Sequence, residues 1–237
     1  MKVVIVGGVA GGATAAARIR RLDEEAEIVV FERTGYISYA NCGLPYYIGG
    51  TIEDAEELTL QTPESFWKRF RVQMKVHHEV TAIHPERKTV SVKNLENAEE
   101  FEESYDKLLL SPGAKPVLPK ISGIGNEKLF TLRTVEDTFK IKKYIEEKKP
   151  KSVILAGGGF ISLELAENLR ESGMVVTIVQ RQKQLMNPFD PDMASFIHSE
   201  MRRHGVTLAL GHTVEGFVEK EGGIDVLLKG EDPIHAD

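Results

Sequence analysis

The chain has 237 residues, of which 41% are hydrophobic and 28% are charged, and its formal net charge at pH 7 is −6. This length accommodates one large domain or two of ordinary size, and the acidic balance without a nucleic-acid-binding motif argues against nucleic acid as a partner. The single cysteine excludes an internal disulfide and a cysteine-rich metal site, and no apolar run reaches the roughly 20 residues of a membrane helix. Since no signal peptide precedes the first strand, we expect a cytoplasmic protein with no bound metal and no membrane association.

The first 32 residues follow the pattern of a nucleotide-binding βαβ unit. An apolar strand over 2–6 leads into a glycine-rich turn, a helix runs from about Gly11 to Leu22, and a second strand over 27–31 ends at Glu32. In such units the helix N-terminus binds phosphates and a carboxylate at this distance accepts hydrogen bonds from an adenosine ribose. The candidate cofactor-binding residues here are Gly7, Gly8, Val9, Ala10, Gly11, Gly12, Glu32 and Arg33.

One position departs from the Gly-x-Gly-x-x-Gly register of these turns. Val9 stands where the middle glycine normally allows the backbone to approach the pyrophosphate, and we expect Gly8 and Gly11 to compensate. The alternative interpretation is a βαβ unit with a purely structural role.

The only cysteine, Cys42, lies in the stretch 36–50 that follows this unit. A lone cysteine is most often a small apolar side chain in a core. Here Asn41 precedes it and Gly43-Leu44-Pro45 follows, which predicts a turn entering a helix with proline near the first position. A thiol close to a helix N-terminus is stabilised as thiolate, so we favour a redox-active or nucleophilic Cys42.

The middle of the chain predicts strands rather than a second nucleotide unit. A capped helix is expected from Thr62 to about Phe70, alternating residues over 72–92 predict strands, and further strands are expected around Phe101 and over 106–110. We interpret them as an antiparallel meander. The proline- and glycine-rich stretch 111–116 then predicts a domain boundary, which gives expected domains of 1–113 and 114–237.

A second βαβ unit follows a helix expected over 134–148. A strand over 152–156 leads into Gly157-Gly158-Gly159, then a helix to about Glu171 and a strand over 175–179. Gln180-Arg181 stands where the first unit has the acid Glu32. An amide followed by a guanidinium accepts a 2′-phosphate, which favours NADPH over NADH; the alternative is that Arg181 merely points to solvent. The candidate nicotinamide-cofactor residues are Gly157, Gly159, Phe160, Ile161, Gln180 and Arg181.

After these elements we expect a helix over 191–204 and short strands over 206–210, 213–219 and 224–229. The predicted fold is α/β, with two Rossmann-like three-layer nucleotide-binding domains that each carry an antiparallel β meander. The second sheet lacks one further strand, so we expect the chain to be cut short.

Two dinucleotide units in one chain suggest electron transfer from a nicotinamide to a flavin and then to sulfur. Because Cys42 has no second cysteine to pair with, its oxidised form is a sulfenic acid or a mixed disulfide with a small thiol.

Three stretches, 3–15, 38–49 and 105–114, resemble the coenzyme A disulfide reductases, a single-cysteine branch of the flavin-dependent pyridine nucleotide–disulfide oxidoreductases. The resemblance runs over the whole chain and implies FAD at the first unit, NAD(P)H at the second, and a Cys42 that cycles between thiolate and a mixed disulfide with coenzyme A. It makes Val9 an ordinary residue of the motif, and it adds Ser111 and Gly113 to the FAD site. It also implies a homodimer for the full-length protein.

The resemblance further implies a coenzyme A site. Its residues are Thr14, Arg18, Arg21, Ser38 and Asn41, with Arg71 (or Arg69) in place of a basic residue that the family carries near Phe70. Spacing supports it independently, since positions 14, 18 and 21 share one helix face where two guanidiniums can hold phosphates. The alternative is a solvated basic face.

Two other functions stay open. The related branches that reduce peroxide or oxygen through a cysteine sulfenic acid resemble this chain but carry histidine at the position of Ala10, which argues against an NADH oxidase or peroxidase. The family's later segments, which complete the flavin domain and form the dimer, are missing here, so a non-catalytic nucleotide-binding module is the third possibility.

Overall fold

The computed structural model describes residues 1–237. Its α-helices are α1 (Ala10–Leu22), α2 (Leu44–Gly49), α3 (Pro63–Phe70), α4 (Val135–Lys148), α5 (Phe160–Glu171) and α6 (Pro191–Arg203). Its strands are β1 (Lys2–Val6), β2 (Glu27–Phe31), β3 (Ile37–Tyr39), β4 (Thr59–Gln61), β5 (Gln73–Lys75), β6 (His78–His84), β7 (Thr89–Asn94), β8 (Glu100–Ser104), β9 (Lys107–Leu110), β10 (Ser152–Ala156), β11 (Val175–Gln180), β12 (Thr207–Leu210), β13 (Val214–Lys220), β14 (Gly223–Leu228) and β15 (Ile234–Ala236). No helix is long and apolar enough to cross a membrane.

The chain divides into two compact units, and each is built from two separate stretches. The first unit contains Met1–Asn41 and Ala55–Lys115, and the second contains Cys42–Asp54 and Pro116–Asp237. The stretch that begins at Cys42 therefore folds with residues that come more than sixty positions later in the chain.

The first unit has three layers around a parallel sheet with the strand order β5-β2-β1-β9. Because successive strand residues point to opposite faces, Val3 and Ile5 pack on one side with Ala13 and Ala16 of α1. On the other side Val4, Val29 and Phe31 pack against Val90 and Val92 of the antiparallel sheet β6-β7-β8. This is the helix, parallel sheet and meander arrangement that the sequence predicts.

The second unit repeats the arrangement. Its parallel sheet has the order β10-β11-β12, and its antiparallel sheet has the order β13-β14-β15. Ile178 faces the helices together with Ala166 and Leu169 of α5, whereas Val179 faces Val226 of the antiparallel sheet. The predicted fold class is thus confirmed for both halves.

Three short strands differ from the sequence-based expectation. β5 pairs in parallel with β2, and β9 pairs in parallel with β1, so both extend the first sheet instead of belonging to the antiparallel meander. β15 was not expected, and it pairs antiparallel with β14 rather than adding a parallel strand to the second sheet. β5 and β15 have three residues and β9 has four, which is too short for a hydrophobic period to register.

Candidate dinucleotide and thiol sites

The turn between β1 and α1 requires glycine at two positions for different reasons. Gly7 has a φ of +94°, and a Cβ there would lie 2.0 Å from the Ser111 carbonyl oxygen. A Cβ on Gly12 would lie 1.8 Å from the carbonyl oxygen of Gly7. The turn therefore packs closely against its own helix and against Ser111, one of the residues that the sequence assigns to the same site.

The N-terminus of α1 has no side-chain cap. Val9 occupies the N-cap position and its side chain accepts no hydrogen bond, while Ala10 and Gly11 are exposed. By contrast, α3 and α4 begin with capping boxes formed by Thr62 and Thr134. The first-turn N–H groups of α1 are thus left to bind a ligand or water. The helix dipole is positive at this end of α1, which favours a phosphate there.

Glu32 is buried beside this turn with 7% of its surface exposed. Its Oε2 accepts the Gly8 N–H at 2.7 Å, and its Oε1 accepts both the N–H and the hydroxyl of Thr34 at 2.8 Å. The carboxylate is thereby fixed at the edge of the glycine turn, the place where a ribose hydroxyl would donate. The residues present fit an adenine dinucleotide, and Thr34 is a contributor that the sequence-based reasoning missed.

Two other candidate residues of this site are exposed. The Arg33 guanidinium lies 3.6 Å from the Glu79 carboxylate. Gly113 has a φ of +69° in the irregular stretch after β9. Neither contacts the glycine turn through a described hydrogen bond.

The second glycine turn, between β10 and α5, has the same local construction. Gly157 has a φ of +119° and its N–H bonds the carbonyl of Val179 at 2.8 Å, as the Gly7 N–H bonds Phe31 in the first unit. Gly159 is the N-cap of α5 and also lacks a side-chain cap. Phe160 and Ile161 follow in the first turn of α5, with 63% and 49% of their surfaces exposed.

Gln180 ends β11 at the position that corresponds to Glu32. Its side chain is buried and reaches the second turn, since a Cβ on Gly158 would lie 3.2 Å from its amide nitrogen. Arg181, the next residue, is exposed. The structure therefore brings a neutral amide to the turn and leaves the guanidinium free to face an anion at the surface.

Cys42 is exposed and lies in a 3-10 turn, Asn41–Gly43, that leads directly into α2. Pro45 stands in the first turn of α2, as the sequence predicts. Ser38 is held in a left-handed conformation with a φ of +46°, and its N–H bonds the Gly8 carbonyl at 3.0 Å. The start of the cysteine stretch is thus tied to the first glycine turn.

The helix after the thiol is anchored in the second unit. Ile48 is 2% exposed in the core of that unit, and the backbone of Gly49 approaches Asn168 of α5 so closely that a Cβ would lie 2.5 Å from the asparagine Cβ. The Thr51 hydroxyl donates to Asn168 Oδ1 at 3.2 Å, and Lys142 Nζ donates to the Ile48 carbonyl at 3.3 Å. These contacts fix the segment that carries Cys42.

Tyr46 is a neighbour of the thiol that the sequence-based reasoning did not identify. It lies one helical turn after Cys42, and burial, followed by the charges of Glu167, Glu164 and Cys42, raises the pKa of its phenol. The phenol is therefore a protonated hydrogen-bond donor at neutral pH. The spacing of four residues from Cys42 was the signal that could have found it.

The proposed coenzyme A residues on α1 share an exposed face. Thr14, Arg18 and Arg21 are exposed, while Ala13, Ala16 and Ala17 on the opposite face are buried. This agrees with the spacing argument.

Arg20, between these residues, has a structural role. It donates to the carbonyls of Phe70 at 2.8 Å and Arg71 at 3.1 Å. The end of α3 is thereby held beside the end of α1, and the exposed Arg71 is brought next to the arginines of that helix.

Comparison with known proteins decides the family. The family model described as pyridine nucleotide-disulphide oxidoreductase matches residues 1–237. The chain belongs to this family. A curated relative, the coenzyme A disulfide reductase of Staphylococcus aureus (strain MRSA252), is 43% identical over 216 residues, which is 91% of this chain and 49% of the relative. The chain thus spans about half the length of the curated relatives that it matches.

Two solved structures of this oxidoreductase group match the whole chain. Reduced CoADR-RHD from Bacillus anthracis is 51% identical with a TM-score of 0.95, and this chain covers 42% of it. The water-forming NADH oxidase from Lactobacillus brevis, solved with NADH bound, is 34% identical with a TM-score of 0.92, and this chain covers 52% of it. The likeness therefore includes oxidoreductases that differ in the substance they reduce.

Proposed function

We propose that this chain is the cofactor-binding and thiol-bearing part of an FAD-dependent oxidoreductase that uses NAD(P)H to reduce coenzyme A disulfide, or a related persulfide or polysulfide, through Cys42. The observation that carries the proposal is the exposed single thiol in a chain with two glycine turns of the dinucleotide type. The family, and the 43% identity with a coenzyme A disulfide reductase, support it.

In this proposal residues 1–113 hold FAD and residues 114–237 hold the nicotinamide cofactor. The uncapped N-terminus of α1 takes the pyrophosphate of FAD, and Glu32 accepts from its adenosine ribose. The uncapped N-terminus of α5 takes the second pyrophosphate, and Arg181 pairs with a 2′-phosphate, which favours NADPH. FAD and NADPH are therefore the proposed cofactors, with NADH as the alternative donor.

The chain's own residues perform the sulfur chemistry. The Cys42 thiolate attacks one sulfur of coenzyme A disulfide, so that a Cys42–coenzyme A disulfide forms and one coenzyme A thiolate leaves. When bound, FAD that NAD(P)H has reduced would supply the two electrons that split this mixed disulfide. With one proton, the second coenzyme A leaves as a thiol and Cys42 is again a thiolate.

The exposed arginines of α1, together with Arg71, Thr14, Ser38 and Asn41, are proposed to hold coenzyme A. Guanidiniums bind phosphate in a bidentate manner, which fits the diphosphate of this substrate. A homodimer of the complete protein and a cytoplasmic location belong to the same proposal, the first from the family resemblance and the second from the single cysteine.

The thiol–disulfide step can be tested with this chain alone. After incubation with coenzyme A disulfide without reductant, intact mass spectrometry should show one coenzyme A adduct per chain, which dithiothreitol removes. Cys42→Ser is the matched control and should show none. A Cys42 that iodoacetamide alkylates but coenzyme A disulfide does not modify would rule out the proposed substrate.

The similarity to an NADH oxidase supports a second candidate, in which Cys42 cycles through a sulfenic acid. Two reaction rates of Cys42 separate the two candidate functions. One is the rate at which coenzyme A disulfide forms the adduct, and the other is the rate at which hydrogen peroxide forms a sulfenic acid, which dimedone traps. The first candidate predicts faster reaction with the disulfide at equal concentrations, and the reverse order would favour the second.

A further inference from the structure

The segment between β11 and α6 connects the exposed Arg181 to the second glycine turn. We call Arg181–Met186 the basic segment, because Arg181 and Lys183 are both exposed cations within it. Its last two residues are buried, with Leu185 at 0% and Met186 at 2% exposure. The segment is thus charged at its start and inserted into the unit at its end.

Both ends of the basic segment are tied to the dinucleotide site. The Met186 N–H bonds the Gly158 carbonyl at 2.7 Å, and a Cβ on Gly158 would lie 2.7 Å from a Leu185 methyl carbon. At the other end the Gly211 N–H bonds the carbonyls of Gln180 at 2.8 Å and Gln182 at 2.9 Å. A displacement of Leu185 would therefore move the glycine turn and the segment that carries Arg181.

The remaining anchor is a side chain from α6. His198 Nε2 accepts the Leu185 N–H at 3.0 Å. Because Leu185 is fully buried, its N–H would have no other partner if this acceptor were removed. Burial of His198, with a smaller effect from Arg202, lowers the pKa of the imidazole, so the ring is neutral at neutral pH and can accept.

We propose that His198 is a positioning residue for the second dinucleotide site. Through its hydrogen bond to Leu185, His198 holds the basic segment in the position from which Arg181 can select a 2′-phosphate. The inference rests on the proposed function, in that a nicotinamide dinucleotide binds at this turn. His198 itself contacts neither phosphate nor nicotinamide. It acts through Leu185.

The test uses 2′,5′-ADP and 5′-AMP, two probes that differ in the 2′-phosphate alone, in titrations of the whole chain. His198→Phe removes the acceptor, and we expect affinity for 2′,5′-ADP to fall by about three- to tenfold, the usual effect of one hydrogen bond, while affinity for 5′-AMP changes by less than about twofold. His198→Gln keeps an acceptor oxygen and should retain the selectivity. His204→Phe is the matched control, because His204 directly follows α6, is exposed, and its ring pairs only with groups at the end of that helix, such as Glu200.

Hydrogen exchange of the Leu185 amide provides a readout that does not need a ligand. Exchange should accelerate in His198→Phe and stay slow in His198→Gln. Unchanged selectivity in His198→Phe, or equal losses in the Phe and Gln variants, would overturn the proposal. If His198→Phe does not fold, His198→Asn, whose shorter side chain does not reach Leu185, takes its place.

The outcome for the wild-type chain separates this inference from the proposed function. If the wild type binds 2′,5′-ADP no better than 5′-AMP, the proposed preference for NADPH fails, whatever the variants do. If the wild type prefers 2′,5′-ADP and the variants keep that preference, only the role of His198 fails.

Discussion

Glu32 and Gln180 occupy the same place in the two βαβ units but present different groups to the turn. The Glu32 carboxylate accepts three hydrogen bonds and has no basic partner among them. A buried carboxylate with such a set of donors is costly to alter, because its removal takes the acceptor from the Gly8 and Thr34 N–H groups and leaves the Thr34 hydroxyl only the Tyr36 carbonyl. Gln180 is neutral, so the second turn repels a phosphate less than the first.

Replacing Glu32 with alanine should therefore destabilise the first unit. The Gly8 and Thr34 donors lose their acceptor, and we expect the free energy of unfolding to fall by about 1–3 kcal/mol. Urea denaturation followed by circular dichroism measures the change. Glu25→Ala, at an exposed acid between α1 and β2, should stay within about 0.5 kcal/mol, and an equal loss in both variants would contradict the argument.

His198 should make stability depend on pH. Its pKa is lowered from the ordinary value of 6.5, mainly by burial, so the folded state binds the proton less readily than the unfolded chain. The stabilising effect is complete above this ordinary value and is lost as the pH falls through the lowered pKa. As the pH falls below 6.5, the urea midpoint of the wild type should drop more steeply than that of His198→Gln, since glutamine does not titrate. Parallel curves would show that the histidine contributes nothing.

Helix α2 has six residues, too few to be stable by itself, so its position depends on what it packs against. The contacts come from α4 and α5. Lys142 bonds a carbonyl of α2 and lies 5.4 Å from the Tyr47 ring, and Tyr47 packs edge-on against Phe139 at 5.7 Å. The position of the thiol is therefore set by helices that the chain forms about a hundred residues later.

Gly49→Ala tests this packing. The added methyl group would overlap Asn168, and overpacking of this kind costs about 1–3 kcal/mol. Gly125→Ala is the matched control, because nothing lies within 4 Å of its Cβ position, and it should be neutral or slightly stabilising. Thermal denaturation compares the two, and a tolerated Gly49→Ala would mean that α2 does not need this close approach.

The two glycine turns could be predicted because their motif reports a local property, the positive φ at Gly7 and Gly157. The helix after Cys42 was also predictable from its proline. Its partners were not, because Thr51 and Asn168 are 117 residues apart and nothing in either neighbourhood specifies the other. The hydrogen bonds from Thr34 to Glu32 were missed for a related reason, since a single threonine forms no periodic pattern in the sequence.

The connection between residues 112 and 120 is exposed and has no regular secondary structure. Limited trypsin digestion should cut first after Lys120, because the bond after Lys115 is followed by proline. We expect the pieces 1–120 and 121–237 to elute together in gel filtration, since the first piece contains Ile48 and the core that buries it lies in the second. Separate elution under native conditions would show that this contact is too weak to hold them.

The placement of Ile48 also limits how such proteins can exchange parts. A chimera joined at residue 114 would put the α2 of one parent into the core formed by α4 and α5 of the other. Gly49 and Asn168 would then have to match across the two parents, because any larger residue at position 49 meets the asparagine. Recombination between relatives should therefore succeed most often when the short stretch 42–54 travels with the second half, although it is encoded in the first.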